Sequence, residues 1–319
     1  MSEKCPVCRQ GKGPEVCEIC GFTDSGVINR EWLNREDAEH WLDTVVKPYR
    51  AQWEARKQRD AERLDPKDVD TYKNRGNAFT KKRDYDHAIA DYTEAIRLDP
   101  KDANAYKNRG DVYFERCNVR LFGNKDDYDR AIADYTEAIR FDPMYADAYK
   151  NRGDVFTKKR DYDRAIADYT ETIRLDPKDV DTYKNRGDVF TKKHDYDRAI
   201  TDYNEAIRLN PTYANAYNDR GVAYSNKHDY DRAITGYTEA IRLNPTYVNV
   251  YNRGNAYYDK GDYGRAITDY TEAIRLNPTY ANAYNGRGDA YKKKGDKNRA
   301  DADYAEAKRL KSMEESGGI

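Results

Sequence analysis

Apolar positions recur along most of the chain in two stripes that alternate at a fixed distance. The first stripe has an aromatic residue, a glycine and a second aromatic residue spaced i, i+4 and i+7, as in Tyr72, Gly76 and Phe79. The second stripe begins at Tyr85 and continues as Ala, Ile, Tyr, Ala and Ile at helical spacing. Both spacings place the apolar side chains on one helix face. The pattern therefore predicts pairs of amphipathic helices, with Asp84 as the N-cap of the second helix.

A Leu/Phe-Asp/Asn-Pro motif precedes each predicted pair and shows that the pattern is an internal repeat. Its prolines are 34 residues apart, except for 43 at the second interval and 33 at the last. These prolines are Pro66, Pro100, Pro143, Pro177, Pro211, Pro245 and Pro278. Seven units fit this spacing. Positions within a unit are counted from its first residue, leaving out nine extra residues in the second unit and allowing for one missing residue before Arg253 in the sixth. The first residues are Val69, Ala103, Ala146, Val180, Ala214, Val248 and Ala281.

The units resemble the tetratricopeptide repeat (TPR), whose pattern is aromatic-x2-Leu-Gly-x2-aromatic, then Ala-x3-aromatic-x2-Ala, then Pro. In the second unit these places are filled by Tyr106, Gly110, Tyr113, Ala131, Tyr135, Ala138 and Pro143. Arg replaces the family's Leu at position 7 of every unit, where its stem can be buried while its charged head stays hydrated. The resemblance implies an all-α fold. It would be a right-handed α-solenoid of about seven TPR helix pairs, with the first helix of each pair on the concave face.

Composition agrees with a repeat architecture rather than one large core. Charged residues make up 36% of the chain and hydrophobic residues 38%, and mean hydropathy is −1.15. A solenoid tolerates this, because each unit packs only on its neighbours. Lys+Arg (57) and Asp+Glu (58) nearly cancel, so no bulk charge favours nucleic acid. No apolar run is long enough for a signal peptide or a membrane span, so we expect a cytoplasmic protein that does not bind membranes.

The first 20 residues contain two cysteine pairs. They are Cys5-x2-Cys8 and Cys17-x2-Cys20, separated by eight residues. Four thiolates at this spacing predict a tetrahedral metal site, and the segment resembles a short zinc ribbon of the CPxC…CxxCG type. We expect one structural Zn²⁺, with iron as the alternative. Since the segment has no apolar core, the metal should be what folds it.

These features predict four regions. They are a zinc ribbon or knuckle at 1–27, a helical linker at 28–66 that caps the solenoid, seven TPR units at 67–312, and a tail at 313–319.

Three units depart from the common pattern. The second has nine extra residues near 117–125, which predict a surface loop, and its Cys117 is expected to be a buried or half-buried thiol. The sixth lacks one residue before Arg253, which predicts a register change in its first helix. The seventh has Asp301 where the other units have Ile, which predicts a polar capping helix.

Polar side chains at positions 2, 6, 9 and 13 lie opposite the packing face of the first helix. The asparagines at position 6 resemble the ladder in the TPR groove of O-linked N-acetylglucosamine transferases, which implies that they hold the main chain of an extended peptide. An amide both donates and accepts hydrogen bonds, as a peptide unit does. The candidate groove residues are Lys73, Asn74, Asn77, Lys107, Asn108, Asp111, Lys150, Asn151, Asp154, Lys184, Asn185, Asp188, Asp219, Asn252 and Asn255.

The sequence thus predicts a non-enzymatic scaffold or adaptor that binds a protein or an extended peptide. The predicted regions leave no space for a catalytic domain, and the four histidines form no triad or metal cluster. Two alternatives remain open: a nucleic-acid-associated regulator that reads through the zinc knuckle, and a non-catalytic specificity subunit of an enzyme complex. Nucleic acid is the less favoured partner.

Overall fold

The computed structural model of the protein describes residues 68–119 and 125–315. The chain divides into two compact units, residues 1–74 and residues 75–319. The predicted zinc knuckle, with Cys5, Cys8, Cys17 and Cys20, lies outside the described residues, as do the predicted linker at 28–66 and most of the tail.

Every regular element in the described ranges is an α-helix, and the fourteen helices form seven consecutive pairs. The first helices of the pairs are α1 (Val69–Lys81), α3 (Ala103–Val119), α5 (Ala146–Lys158), α7 (Val180–Lys192), α9 (Ala214–Asn226), α11 (Tyr247–Asp259) and α13 (Ala281–Lys293). The second helices are α2 (Tyr85–Leu98), α4 (Lys125–Phe141), α6 (Tyr162–Leu175), α8 (Tyr196–Leu209), α10 (Tyr230–Leu243), α12 (Tyr263–Leu276) and α14 (Lys297–Glu315). The predicted helix pairs are therefore confirmed over this part of the chain.

The second helices begin at the aspartates that the sequence suggests. The carboxylate of Asp84 accepts a hydrogen bond from the backbone N–H of His87 at 3.5 Å, which makes Asp84 the N-cap of α2. The same arrangement caps α6, α8, α10 and α12, through Asp161, Asp195, Asp229 and Asp262. The residue before the cap has a positive φ, 60° at Arg160 and 87° at Gly261, which reverses the chain between the two helices of a pair.

Each pair is held together by the close approach of a glycine to a tyrosine, which is buried in every pair but the last. The ring of Tyr169 in α6 lies against Gly153 in α5, and a Cβ added to Gly153 would stand 2.8 Å from that ring. Tyr169 is 1% exposed. The same contact recurs between positions 8 and 24 of the other units, so the glycine provides the space that the ring occupies.

Contacts between adjacent repeat units show which helices lie on the inner, concave face of residues 75–315. The first helices contact the first helices of adjacent units, from α3 with α5 to α11 with α13. No equivalent contact joins the second helices of adjacent units in the described ranges. The second helices must therefore diverge while the first helices converge, which confirms that the first helices form the inner face. The right-handed superhelix stays a prediction.

The insertion in the second unit differs from the predicted loop. Helix α3 is 17 residues long, against 13 for α5, and α4 is 17 residues long, against 14 for α6. The extra residues thus extend both helices, and only 120–124 lie outside the description. Cys117 is buried, as predicted. Arg116 fixes the extension, because its guanidinium binds Asp127 of α4 at 2.7 and 2.9 Å.

The missing residue of the sixth unit is absorbed at the start of α11. Thr246 caps this helix, which therefore begins at Tyr247, and Gly254 again faces Tyr270 as in the other units. Counted back from Gly254, Asn252 occupies position 6. Asn249 is displaced from the inner face and is buried, 7% exposed. The predicted register change is thus confined to the first turn of the helix.

The last helix has the polar face that Asp301 predicts. Asp301 is exposed, while Ala300, Ala307 and Leu310 are buried on the opposite side of α14.

Candidate functional site

Several of the predicted groove residues of residues 75–315 are hydrogen-bonded from one repeat unit to the next on the inner face. The amide N–H of Asn151 donates to Asp111 of the preceding unit at 2.8 Å. Asn185 donates to Asp154 in the same way at 3.3 Å. Position 6 of one unit thus binds position 9 of the unit before it. We call the polar side chains at positions 6 and 9 of α3, α5, α7, α9 and α11 the inner polar row; position 9 of α9 is Val222, which contributes none.

Buried tyrosines donate hydrogen bonds to the carboxylates of the row. The hydroxyl of Tyr135 donates to Asp111 at 2.8 Å, and that of Tyr169 donates to Asp154 at 2.6 Å. Burial raises the pKa of Asp154, and the hydrogen bond from Tyr169 partly opposes this rise. The carboxylates are therefore held in one position, as a repeated binding surface requires.

The lysines at position 5 are paired within the protein. Lys107 binds Asp111 at 2.8 Å and Lys184 binds Asp188 at 2.7 Å. Lys150 instead binds Asp179, before the next helix, at 2.9 Å. Burial lowers the pKa of Lys107, but the charge of Asp111, the hydrogen bond to it and the nearby Tyr145 and Asp147 together raise the pKa by more, so that it is raised overall. The mixed charges in this half of the groove are thus largely compensated before any ligand binds.

The fifth unit interrupts the row with a second carboxylate. Position 6 is Asp219, which cannot donate to Asp188 as Asn185 donates to Asp154. Lys184 lies between the two carboxylates, 2.7 Å from Asp188 and 3.7 Å from Asp219, and Asn218 donates to Asp219 at 3.0 Å. Burial and the charge of Asp188 still raise the pKa of Asp219 to about 6.

Amides replace charges in the sixth unit. Asn252 donates to the side-chain oxygen of Asn218 at 3.1 Å, and Asn255 accepts from Tyr270 at 2.8 Å. Position 6 of the seventh unit is Gly286, which contributes no side chain. The row therefore ends at the sixth unit.

At the other end, the candidate residues divide between the two compact units. Lys73 and Asn74 belong to the first unit, where Lys73 lies 3.0 Å from Asp70. Asn77 belongs to the second unit and accepts from Tyr92 at 2.6 Å. Asn108 is half-buried and has no hydrogen-bond partner among the described residues. It is the amide of the row that is most available to a ligand.

This arrangement suits binding rather than catalysis. Each bonded asparagine keeps a carbonyl oxygen and a second N–H, which match the donor and acceptor of a peptide unit. In the described ranges, no three His, Cys, Asp or Glu side chains converge as metal ligands would. The same ranges contain no helix with the length and apolarity needed to cross a membrane.

Sequence reasoning missed the role of Arg at position 7. In six units this guanidinium binds the aspartate at position 23 through Nε and Nη2, at 2.5–2.9 Å. The pairs are Arg75–Asp91, Arg109–Asp134, Arg152–Asp168, Arg186–Asp202, Arg253–Asp269 and Arg287–Asp303. The signal was present in the sequence, since Arg and Asp recur together 16 residues apart in the regular units. These bonds belong to the packing between helices and not to the inner polar row.

Sequence comparisons match the repeats to families of one kind of repeat. The family described as "TPR repeat" matches residues 76–116, 187–228 and 254–295, and families described as "Tetratricopeptide repeat" match residues 118–180, 214–247 and 281–312. None of these descriptions names a catalytic domain. A comparison with curated proteins finds no match.

Solved structures share the fold. MamA is 27% identical, with 55% of this chain and 96% of that chain aligned and a TM-score of 0.50. YrrB, described as a TPR protein with an unusual peptide-binding site, is 24% identical, with coverages of 60% and 95% and a TM-score of 0.51. The C-terminal part of a TPR repeat-containing protein from Cytophaga hutchinsonii is 21% identical, with coverages of 74% and 94% and a TM-score of 0.63.

Proposed function

Since the chain belongs to the tetratricopeptide repeat family, we propose that it is a non-enzymatic scaffold or adaptor whose inner polar row binds an extended peptide or protein segment. The fold of this family is typical of protein–protein interaction. The proposal rests on one observation, the periodic placement of half-buried amides and carboxylates along consecutive inner helices. A periodic row can match the repeating main chain of an extended partner.

The network defines which part of the partner is recognised. Because the lysines of α3, α5 and α7 already bind aspartates, a ligand gains little from simple charge attraction there. The free amide of Asn108 and the remaining amide atoms of Asn151 and Asn185 favour recognition of main-chain N–H and C=O groups. We therefore expect partner sequences to be tolerated broadly, provided that the segment is extended.

The decisive experiment compares two matched triple variants of the full chain. One replaces Asn108, Asn151 and Asn185 with Ala on the inner face. The control replaces Glu137, Glu171 and Glu205 with Ala. These glutamates bind arginines on their own second helices. Each tagged protein is used to co-purify partners, which are quantified by mass spectrometry.

Partners that occupy the inner face should be retained by wild type and by the control, and lost from the inner-face variant. Partners that behave in the opposite way would exclude the inner polar row as the binding surface. Asn151 and Asn185 each bond to a neighbouring unit, so the inner-face variant should also unfold more readily, by about 0.5–1.5 kcal/mol per lost bond. Asn108→Ala alone removes a free amide and tests binding without that loss.

The four N-terminal cysteines remain a separate proposal. Cys5, Cys8, Cys17 and Cys20 would hold one structural Zn²⁺, on the basis of their spacing. The purified full chain should then contain about one zinc per molecule, and Cys17→Ser should lose it. Full metal retention by Cys17→Ser would exclude the four-thiolate site, and iron in place of zinc would identify the iron alternative.

A further inference from the structure

The fifth unit lacks the internal carboxylate that every other unit provides for its position-7 arginine. Position 23 is Gly236, where the six other units have aspartate. The Nε atom of Arg220 is consequently buried without a hydrogen-bond partner, and it is the one such side-chain nitrogen or oxygen in the described part of the chain. A buried donor without an acceptor is costly, so a ligand that supplies an acceptor gains affinity.

A cavity of about 440 Å³ lies at the same place. Tyr217 and Arg220 of α9 form one side, and the remaining lining residues belong to α10. These are Ile234, Thr235, Thr238 and Glu239. None of them belongs to the inner polar row.

The residue that binds Nη1 of Arg220 also departs from the repeat pattern. The Nη1 atom of each position-7 arginine from Arg109 onward donates to position 25 of the preceding unit, which is threonine for Arg109, Arg152 and Arg186. For Arg220 the acceptor is Asn204, at 2.6 Å. Asn204 is exposed, and its amide N–H groups have no partner among the described residues. The site therefore combines an incompletely paired guanidinium with an amide donor.

We propose that this cavity binds a carboxylate from an acidic side chain of a partner protein, which replaces the aspartate that Gly236 removes. The six intact units show the geometry of such a pair, since each seats a carboxylate on Nε and Nη2 in bidentate form. Glu239, which is already paired with Arg242 at 2.5 Å, adds negative charge to the wall. This charge disfavours a doubly charged phosphate more than a singly charged carboxylate.

The test follows the Nε–H signals of arginine in NMR spectra of the ¹⁵N-labelled full chain. The probe is aspartate capped as its N-acetyl methylamide, and capped asparagine is the control. The Arg220 signal is identified by its loss in Arg220→Gln. We expect it to shift with a saturable dissociation constant on the order of 1–10 mM, as a single ion pair would give. Capped asparagine should bind at least tenfold more weakly.

Asp202→Gly removes the corresponding carboxylate in the fourth unit and should create an equivalent carboxylate-binding site there. It should make the Arg186 signal respond to capped aspartate as Arg220 does. Gly236→Asp is not the converse control, because its Cβ would stand 2.9 Å from the carbonyl oxygen of Tyr217.

Three outcomes would overturn the proposal. One is an equal response of Arg220 to capped asparagine, and another is a parallel, unsaturable shift of all arginine signals. The third is tenfold tighter binding of inorganic phosphate than of capped aspartate, which would identify a phosphate site instead. The inner-face triple variant should leave the response unchanged, so this test is independent of the proposed groove function.

Discussion

Arg152 shows how one side chain joins three helices. Its guanidinium binds the buried carboxylate of Asp168 in α6 at 2.8 Å through two nitrogens, while a third nitrogen donates to Thr136 of the preceding unit at 3.0 Å. Burial raises the pKa of Asp168, and Arg152 opposes the rise. Such a pair adds little net stability over an apolar pair, yet removing one partner leaves a buried charge.

We therefore expect Arg152→Leu, which restores the family's usual residue, to destabilise the protein by about 3–5 kcal/mol. The double variant Arg152→Leu/Asp168→Leu should recover most of this loss, since neither charge remains. Urea unfolding followed by circular dichroism measures both. Equal losses in the single and double variants would show that the arginine acts through packing instead.

Asp219 is a residue whose ionisation opposes folding. Burial and Asp188 raise its pKa to about 6, above the value near 4 of an unfolded aspartate. The native state therefore favours the protonated form. Neutral Asp219 makes a contribution to the free energy of unfolding that is fully present below about pH 4 and is lost as the pH rises from about 4 through about 6.

Asp219→Asn should stabilise the protein at pH 7 by an amount on the order of 2 kcal/mol, because it removes the like charge and provides the donor present in Asn151 and Asn185. The gain should shrink toward pH 4, where Asp219 is already neutral. Melting temperatures of both proteins across pH 4–8 measure it. A gain that does not change with pH would mean that hydrogen bonding alone is responsible.

At the scale of the helix, some glycines are required by close packing between helices and others are not. Gly153 faces the ring of Tyr169, which is buried and bonded to Asp154 and so cannot move freely. Gly264, in the first turn of α12, has no atom closer to an added Cβ than 3.6 Å. The first glycine is required by packing and the second is not.

Gly153→Ala should therefore destabilise by about 1–3 kcal/mol through overpacking, despite the better helix propensity of Ala. Gly264→Ala, the matched control, should stabilise by about 0.5–1 kcal/mol. Thermal melting of the two variants measures the difference in sign. A stabilised Gly153→Ala would show that α5 and α6 can separate without cost.

For residues 75–315 as a whole, stability depends on the interfaces between adjacent units. Helices contact only helices of the same unit or the next one along this part of the chain. A weak interface is therefore not compensated by distant contacts. The like charges of Asp188 and Asp219 meet at the boundary of the fourth and fifth units, and the unpaired Nε of Arg220 lies between the two helices of the fifth unit.

We expect local opening to begin at this boundary. Amide hydrogen exchange at pH 7 should be faster in α9 and α10 than in α5 and α6, although the two pairs have the same lengths. Asp219→Asn should slow exchange in α9. Uniform protection across the four helices would contradict a weak boundary here.

The sequence by itself determined the helix pairs and the aspartate caps, because these depend on residues close together in one unit or repeated at one spacing. It also placed the candidate asparagines on one helix face. It misjudged the insertion, since a nine-residue segment can continue two helices as readily as form a loop.

Only the tertiary structure decided which polar side chains meet across units. Asn151 and Asp111 are 40 residues apart in sequence, and helical periodicity gives the direction of a side chain but not the distance to a neighbouring helix. For the same reason Gly236 looks harmless in sequence, whereas packing turns the absent carboxylate into an unpaired Nε beside a cavity. The physical difference is that a helix face follows from local geometry, whereas an interface also depends on how closely two helices approach.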